Sequence, residues 1–173
     1  MGRKLGKSFF RCDIHMVARA LIGKILVRKW NNGKLTKYRI TEIEMYVGED
    51  DLASHASKGR TLRTEVMYAT GGKVYVYLIY GMYWLLNIVT GEVNKPQAIL
   101  IRGLDNINGP GKIGKQLKLD KSFYGEDLSV SNRIWLEDDG KKYSFTSHPR
   151  INIDYAEDIW KNKPYRFVLN KLI

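Results

Sequence analysis

Lys73-Val-Tyr-Val-Tyr-Leu-Ile-Tyr-Gly-Met-Tyr-Trp-Leu-Leu-Asn-Ile-Val-Thr90 decides the reading of the fold. Alternation places Tyr75 and Tyr77 on one face of an extended segment, with Val74, Val76 and Leu78 on the other. Ile79-Tyr80-Gly81-Met82 reads as a turn, because Gly81 tolerates a left-handed backbone, and Tyr83 to Val89 reads as the returning strand. Tyr75 and Tyr83 are expected in the core or on the sheet face. Tyr80 differs from them, because a turn tip sits at the surface. An exposed aromatic on a basic protein is a candidate wedge or stacking group for nucleic acid.

Upstream, Asp13 caps an expected helix from Ile14 to Ile22 that Gly23 closes. Ile25 to Trp30 and Lys34 to Tyr46 read as strands joined by the turn Asn31-Asn-Gly33. The stretch from Val47 to Arg60 is polar and ends in a loop, and Thr64 is a candidate cap for a short helix, Glu65 to Ala69. Downstream, Pro96 precedes a buried strand from Gln97 to Gly103, and Gly109 to Leu117 opens a helix with Pro110 in its first turn. Arg133 to Leu136, Tyr143 to Thr146, Arg150 to Ile153 and Tyr165 to Leu169 read as short strands. There is no regular βαβ rhythm, so the expected class is α+β with a largely antiparallel sheet, and residues 1–173 read as one domain.

Lys and Arg number 29 against 18 Asp and Glu, a net charge of +11 on 173 residues. That excess points to a polyanionic partner, nucleic acid before membrane. Cys12 is the only cysteine, so no intrachain disulfide forms. One cysteine with three scattered histidines, His15, His55 and His148, argues against a structural zinc site. No apolar run is long enough for a signal peptide or a spanning helix, so a soluble cytoplasmic protein is expected, nucleoid-associated if bacterial. Nothing demands more than a monomer.

Glu42, Glu44 and Tyr46 share one face of their strand, with Ile43 and Met45 on the other. Two carboxylates there suit either acid–base chemistry or a solvated face. His55 lies in a loop beside Ser54 and Ser57, where a hydrogen-bonded surface role is the commoner one. Gly109-Pro-Gly111-Lys-Ile-Gly114 has the spacing of a dinucleotide fingerprint but lacks its strand context. It fits equally an ordinary helix start or a phosphate-holding amide nest helped by Lys112 and Lys115. No Gly-x-Ser-x-Gly occurs and Cys12 has no activating partner, which disfavours covalent hydrolysis. From the residues alone, a noncatalytic module that stacks bases on its tyrosines stands as an alternative to an enzyme.

Taken together, Thr41-Glu-Ile-Glu-Met-Tyr46, Ala53-Ser-His-Ala56, Tyr75 to Tyr83, Asn87, Leu100-Ile-Arg102, Gly109-Pro-Gly-Lys112 and Ile134-Trp-Leu-Glu137 resemble, in order, the alkyladenine (3-methyladenine) DNA glycosylases. The resemblance runs from about Ala18 to Val168. It implies a single mixed domain with a curved sheet, flanking helices and a protruding β-hairpin. It also implies a monofunctional enzyme of base excision repair that flips alkylated purines from double-stranded DNA and hydrolyses the N-glycosidic bond, without metal or cofactor. By the same resemblance Glu44 is the general base, Arg102 positions the water, and the backbone carbonyl of Ile134 completes its cradle. Tyr46, His55 and Tyr77 form the base slot, Asn87 its wall, and Tyr80 fills the gap in the duplex. Arg60, Met67 and Lys112 contact DNA. Thr64 and Trp84 depart from the usual pattern at what is expected to be the pocket rim.

Overall fold

A computed structural model describes residues 2–173. Its strands are β1 (Arg3–Lys4), β2 (Ile25–Lys29), β3 (Leu35–Val47), β4 (Val74–Ile79), β5 (Tyr83–Val89), β6 (Gln97–Leu104), β7 (Ile107–Asn108), β8 (Ile134–Asp138), β9 (Tyr143–His148) and β10 (Arg166–Leu172). The helices are α1 (Lys7–Phe10), α2 (Ile14–Leu21), α3 (Pro110–Gln116) and α4 (Asp158–Lys161), with single 3₁₀ turns at His55–Lys58, Glu65–Tyr68 and Lys121–Phe123. The strands join in one antiparallel sheet ordered β1-β8-β2-β3-β6-β5-β4, with β10 pairing both β3 and β9 and β7 pairing β6. The α+β expectation holds.

The thirteen-residue β3 organises the sheet. Its first half, from Leu35 to Arg39, pairs with β2 and its second half, from Glu42 to Glu44, pairs with β10, while β6 runs along the other side. Ile43 and Met45 join Val74, Val76, Leu86, Ile88, Ile99 and Ile101 on one face, which Ile14, Val17, Ala18 and Leu21 of α2, Ile113 of α3 and Leu117 just after it cover. The Asp13 side chain accepts from His15 N at 2.9 Å and starts α2 where the sequence indicates. The opposite face carries the polar and aromatic residues of β3, β4 and β5.

The β4–β5 hairpin turns as expected. Met82 N donates to Ile79 O at 3.1 Å, and Tyr80 and Gly81 both have positive φ, 50° and 63°. Of the three glycines of Gly109-x-Gly-x-x-Gly114, the first is required by its φ of 104° and the other two by packing. A Cβ on Gly114 would overlap the Trp84 carbonyl oxygen, and one on Gly111 would sit 3.1 Å from the Tyr83 ring, so α3 rides directly on β5.

Two expectations for the chain trace fail. Arg150 to Ile153 is a turn and not a strand, because Arg150 is engaged by Asp51 and Ile151 N by Glu44, with Asn152 at φ 57°. Thr64 precedes its 3₁₀ turn without capping it. Its hydroxyl instead donates to Gly59 O at 3.0 Å and accepts from Thr61 N at 2.9 Å.

Candidate active site

One transverse row builds the site. Across the sheet Tyr75 lies opposite Asn87, Asn87 opposite Leu100, Leu100 opposite Glu44 and Glu44 opposite Arg166. Residues in such a row point to the same face, so five strands present one line of side chains. Tyr77 stands two residues along from Tyr75, Tyr46 two from Glu44, and Arg102 two from Leu100, all on that face.

Glu44 is fully buried. Its Oε1 accepts from Ile151 N at 2.7 Å and its Oε2 from the Tyr46 hydroxyl at 2.8 Å. Arg102 Nε lies 3.6 Å from Glu44 Oε1 and 3.4 Å from Glu42 Oε1, and makes no hydrogen bond with either. Burial pushes the Glu44 carboxyl above its usual range, opposed by the Arg102 charge and by the bonds from Ile151 and Tyr46. Behind Tyr46, Arg150 donates two bonds to the buried Asp51, at 2.6 and 2.8 Å, and its guanidinium sits 4.9 Å from the Tyr46 ring centre. That ion pair fixes both the ring and the chain leading to Ile151.

Beside this carboxylate is a cavity of about 50 Å³ lined by Tyr46, His55, Met67, Tyr75, Tyr77 and Asn87, among others. Glu44 itself does not line it; Tyr46 is the link between the two. The volume holds a water or two, not a purine. His55 and Tyr77 meet in an edge contact within it, their ring centres 4.6 Å apart. Next to it lies a cleft of about 490 Å³ that shares His55 and Tyr155 and is rimmed by Lys58, Thr61, Arg63 and Thr64. His55 Nδ1 is 2.8 Å from the Tyr75 hydroxyl. Its pKa falls to about 4, chiefly from burial and then from the Arg63 and Lys58 charges, so the ring is neutral at physiological pH. Asn87 Nδ2 donates to Tyr75 O at 3.1 Å, which fixes the cavity wall.

The structure thus brings together Glu44, Arg102, Tyr46, His55, Tyr77 and Asn87. It does not bring Ile134 to them. Ile134 pairs with Arg28, and Arg28 with Thr36, which stands eight residues from Glu44 on β3, roughly 26 Å of strand. The peptide that reaches the carboxylate belongs to Ile151. Met67 is buried at 1% and meets the cavity rather than the molecular surface. Arg60 is exposed but already paired with Glu65 at 2.6 Å, whereas Arg63 lies over the Tyr77 ring at 5.1 Å. Lys112 is exposed on the first turn of α3. Tyr80 is 86% exposed at the hairpin tip. Trp84 pairs with Leu78 and packs against the core, away from the cavity, while Thr64 is on the cleft rim. Among the described residues, no three His, Cys, Asp or Glu side chains converge as a metal site requires, and no helix is long and apolar enough to cross a membrane.

Sequence reasoning passed over Ile151, Asp51 and Arg150, Arg63 and Tyr155. Of these only Arg63, in the basic loop that ends in Thr64, carried a local signal.

The family model of methylpurine-DNA glycosylase matches residues 8–107 and 105–172. The chain belongs to that family. It is therefore a DNA glycosylase, a hydrolase of N-glycosyl bonds that acts on alkylated bases in DNA. Among similar proteins, one from Natranaerobius thermophilus is 40% identical, over 96% of this chain and 95% of its own length. One from Borrelia garinii is 40% identical over 98% of each chain, and one from Psychrobacter cryohalolentis 37% identical over 91% and 92%. All three bear the name "Putative 3-methyladenine DNA glycosylase".

Proposed function

We propose that this glycosylase swings an alkylated purine, 3-methyladenine among them, out of duplex DNA into the slot between Tyr46, His55 and Tyr77. There a water directed by Glu44 attacks the sugar. The observation that carries this reading is the buried Glu44 carboxylate, held by Ile151 and Tyr46 and faced by the unpartnered Arg102 Nε, one residue row from an aromatic slot.

A base stacked in a duplex is closed to water, so extrusion comes first, at a cost of a few kcal/mol. The exposed Tyr80 restacks the gap and offsets part of that cost; aromatic stacking contributes about 1–3 kcal/mol per base. Entry requires the His55–Tyr77 contact to part. A neutral His55 adds no charge against a cationic alkylated base, and the π systems of Tyr46 and Tyr77 attract it.

In the chemical step the C1′–N9 bond breaks with its electron pair moving to the purine, which leaves neutral if it entered as a cation. Water oxygen bonds to C1′ and its proton passes to Glu44, leaving an abasic site. Arg102 Nε and Glu44 Oε1 are too far apart to bond directly and suit a shared water between them. General-base help supplies about 10²–10⁴-fold, and the carboxylate's charge beside the oxocarbenium-like sugar adds to it. The decisive experiment measures free base released from a duplex with one 3-methyladenine. Glu44→Gln should lose release while still binding the duplex; release at the parental rate would remove Glu44 from the mechanism.

A further inference from the structure

A groove of about 810 Å³ shares no lining residue with the aromatic slot. One wall is the β2–β3 hairpin, with Trp30, Lys34 and Tyr38, and the other is the end of α3, with Lys115 and Lys118. No carboxylate lines it. Among the described residues Lys34, Lys115 and Lys118 enter no ion pair. Three free cations facing one concavity concentrate a positive potential there.

The walls are fixed before anything binds. Trp30 Nε1 donates to Thr36 Oγ1 at 3.1 Å, and Gln116 Nε2 donates to the Tyr38 hydroxyl at 3.2 Å. Arg28, beneath the indole, donates to Leu117 O at 3.0 Å and ties β2 to the end of α3. The Arg28 guanidinium sits 4.8 Å and the Lys118 ammonium 5.9 Å from the Trp30 ring centre, so two cations already engage the indole. What suits the groove is an anionic backbone, not a ring.

The groove is also continuous with the hairpin. The Lys115 ammonium lies 5.7 Å from the Tyr83 ring, and Tyr83, paired with Ile79, is the first strand residue after the turn that carries Tyr80. Lys115 and Lys118, three residues apart, are exposed together at the end of α3.

We propose that this groove is a second DNA contact, which holds the sugar-phosphate strand flanking the lesion on the α3 side of the hairpin. The proposal rests on the reading that Tyr80 enters the duplex. It gives Lys34, Lys115 and Lys118 a sequence-independent role, extending the footprint without touching the flipped base.

The test uses the full chain with Lys34→Gln, Lys115→Gln and Lys118→Gln combined, and a duplex of ~30 base pairs with one central abasic-site analogue. If each lysine meets one phosphate, the slope of log affinity against log salt falls by about 2.7, so between ~50 and ~200 mM salt the parental protein loses roughly 40-fold more affinity than the variant. On a duplex truncated at the α3-side flank the two proteins should have the same slope. An unchanged slope on the long duplex, or a difference that survives truncation, overturns the groove as a flank contact. Base release from a 3-methyladenine duplex at saturating enzyme is measured in parallel. Normal release with an unchanged slope sinks only the groove; no release by the parental protein sinks the functional reading instead.

Discussion

Acidification should unfold this protein through His55, by an amount that can be worked out. In the folded chain the imidazole stays neutral down to about 4, because burial beside Tyr75 and the nearby Arg63 and Lys58 disfavour its charged form. In the unfolded chain it takes up a proton near 6.5. Between those values only the unfolded chain binds the proton, so stability is full above the upper limit and is lost as pH falls toward the lower. Each unit is about 1.4 kcal/mol, which sets a ceiling of about 3 kcal/mol for the whole window. The ring keeps some contact with solvent, whose screening brings the expected loss to about 2 kcal/mol. Urea unfolding at about pH 7.5 and about pH 4.5 measures it in the parental protein and in His55→Gln, whose amide can still pair with the Tyr75 hydroxyl. The parental protein should lose about 2 kcal/mol more than the variant. Equal losses would show that His55 titrates normally and that the slot is wet.

The rate of base release should fall on the acid side with a midpoint above 4.5, since burial holds the Glu44 carboxyl above its usual range and its base form must be ionised; a midpoint at or below that value contradicts the assignment. Tyr46→Phe removes a bond that favours the ionised carboxylate and should move that midpoint further up, with base binding largely kept. Tyr80→Gly should leave the melting temperature equal or higher, because glycine accepts the positive φ at the tip, while the preference for lesion-bearing over intact duplex drops by about 1–3 kcal/mol of stacking. Gly114→Ala should destabilise by about 1–3 kcal/mol, read by thermal melting, because the added methyl meets the Trp84 backbone and not a movable side chain.

What was legible in the sequence was local. Alternation along Glu42 to Tyr46 and Val74 to Leu78 told the faces apart, and Gly81 marked the turn, since each signal lies within a few residues. The motif resemblance then drew Glu44, Tyr46, His55, Tyr77 and Asn87 together; sheet register brings four of them to one face, and the 3₁₀ turn at His55–Lys58 lays His55 against Tyr75 and Tyr77. Ile134 shows where that mode of reading stops. Its segment looked apt on its own, but position relative to Glu44 depends on how β8, β2 and β3 pair, which no short stretch encodes. Ile151 was hidden for the same reason, inside a segment whose alternation imitates a strand. The Arg150–Asp51 pair spans 99 positions. α1 and α4, of four residues each, are too short to show a period. That the slot is too small for a purine is a matter of side-chain packing.

β10 is the last of the described strands in sequence order, and it lies against β3 at Glu44 through Arg166. Arg166 also bonds Glu42 at 2.9 Å, and Met45 N donates to Tyr165 O at 2.8 Å. A chain still emerging from the ribosome therefore carries its carboxylate, its tyrosines and its hairpin long before it has the strand that seats them. Seating of Glu44 from this side therefore waits on the synthesis of Tyr165 and the strand that follows it. A stop codon shortly before Tyr165 would leave every named catalytic side chain present, with the β10 side of β3 unpaired at Glu44.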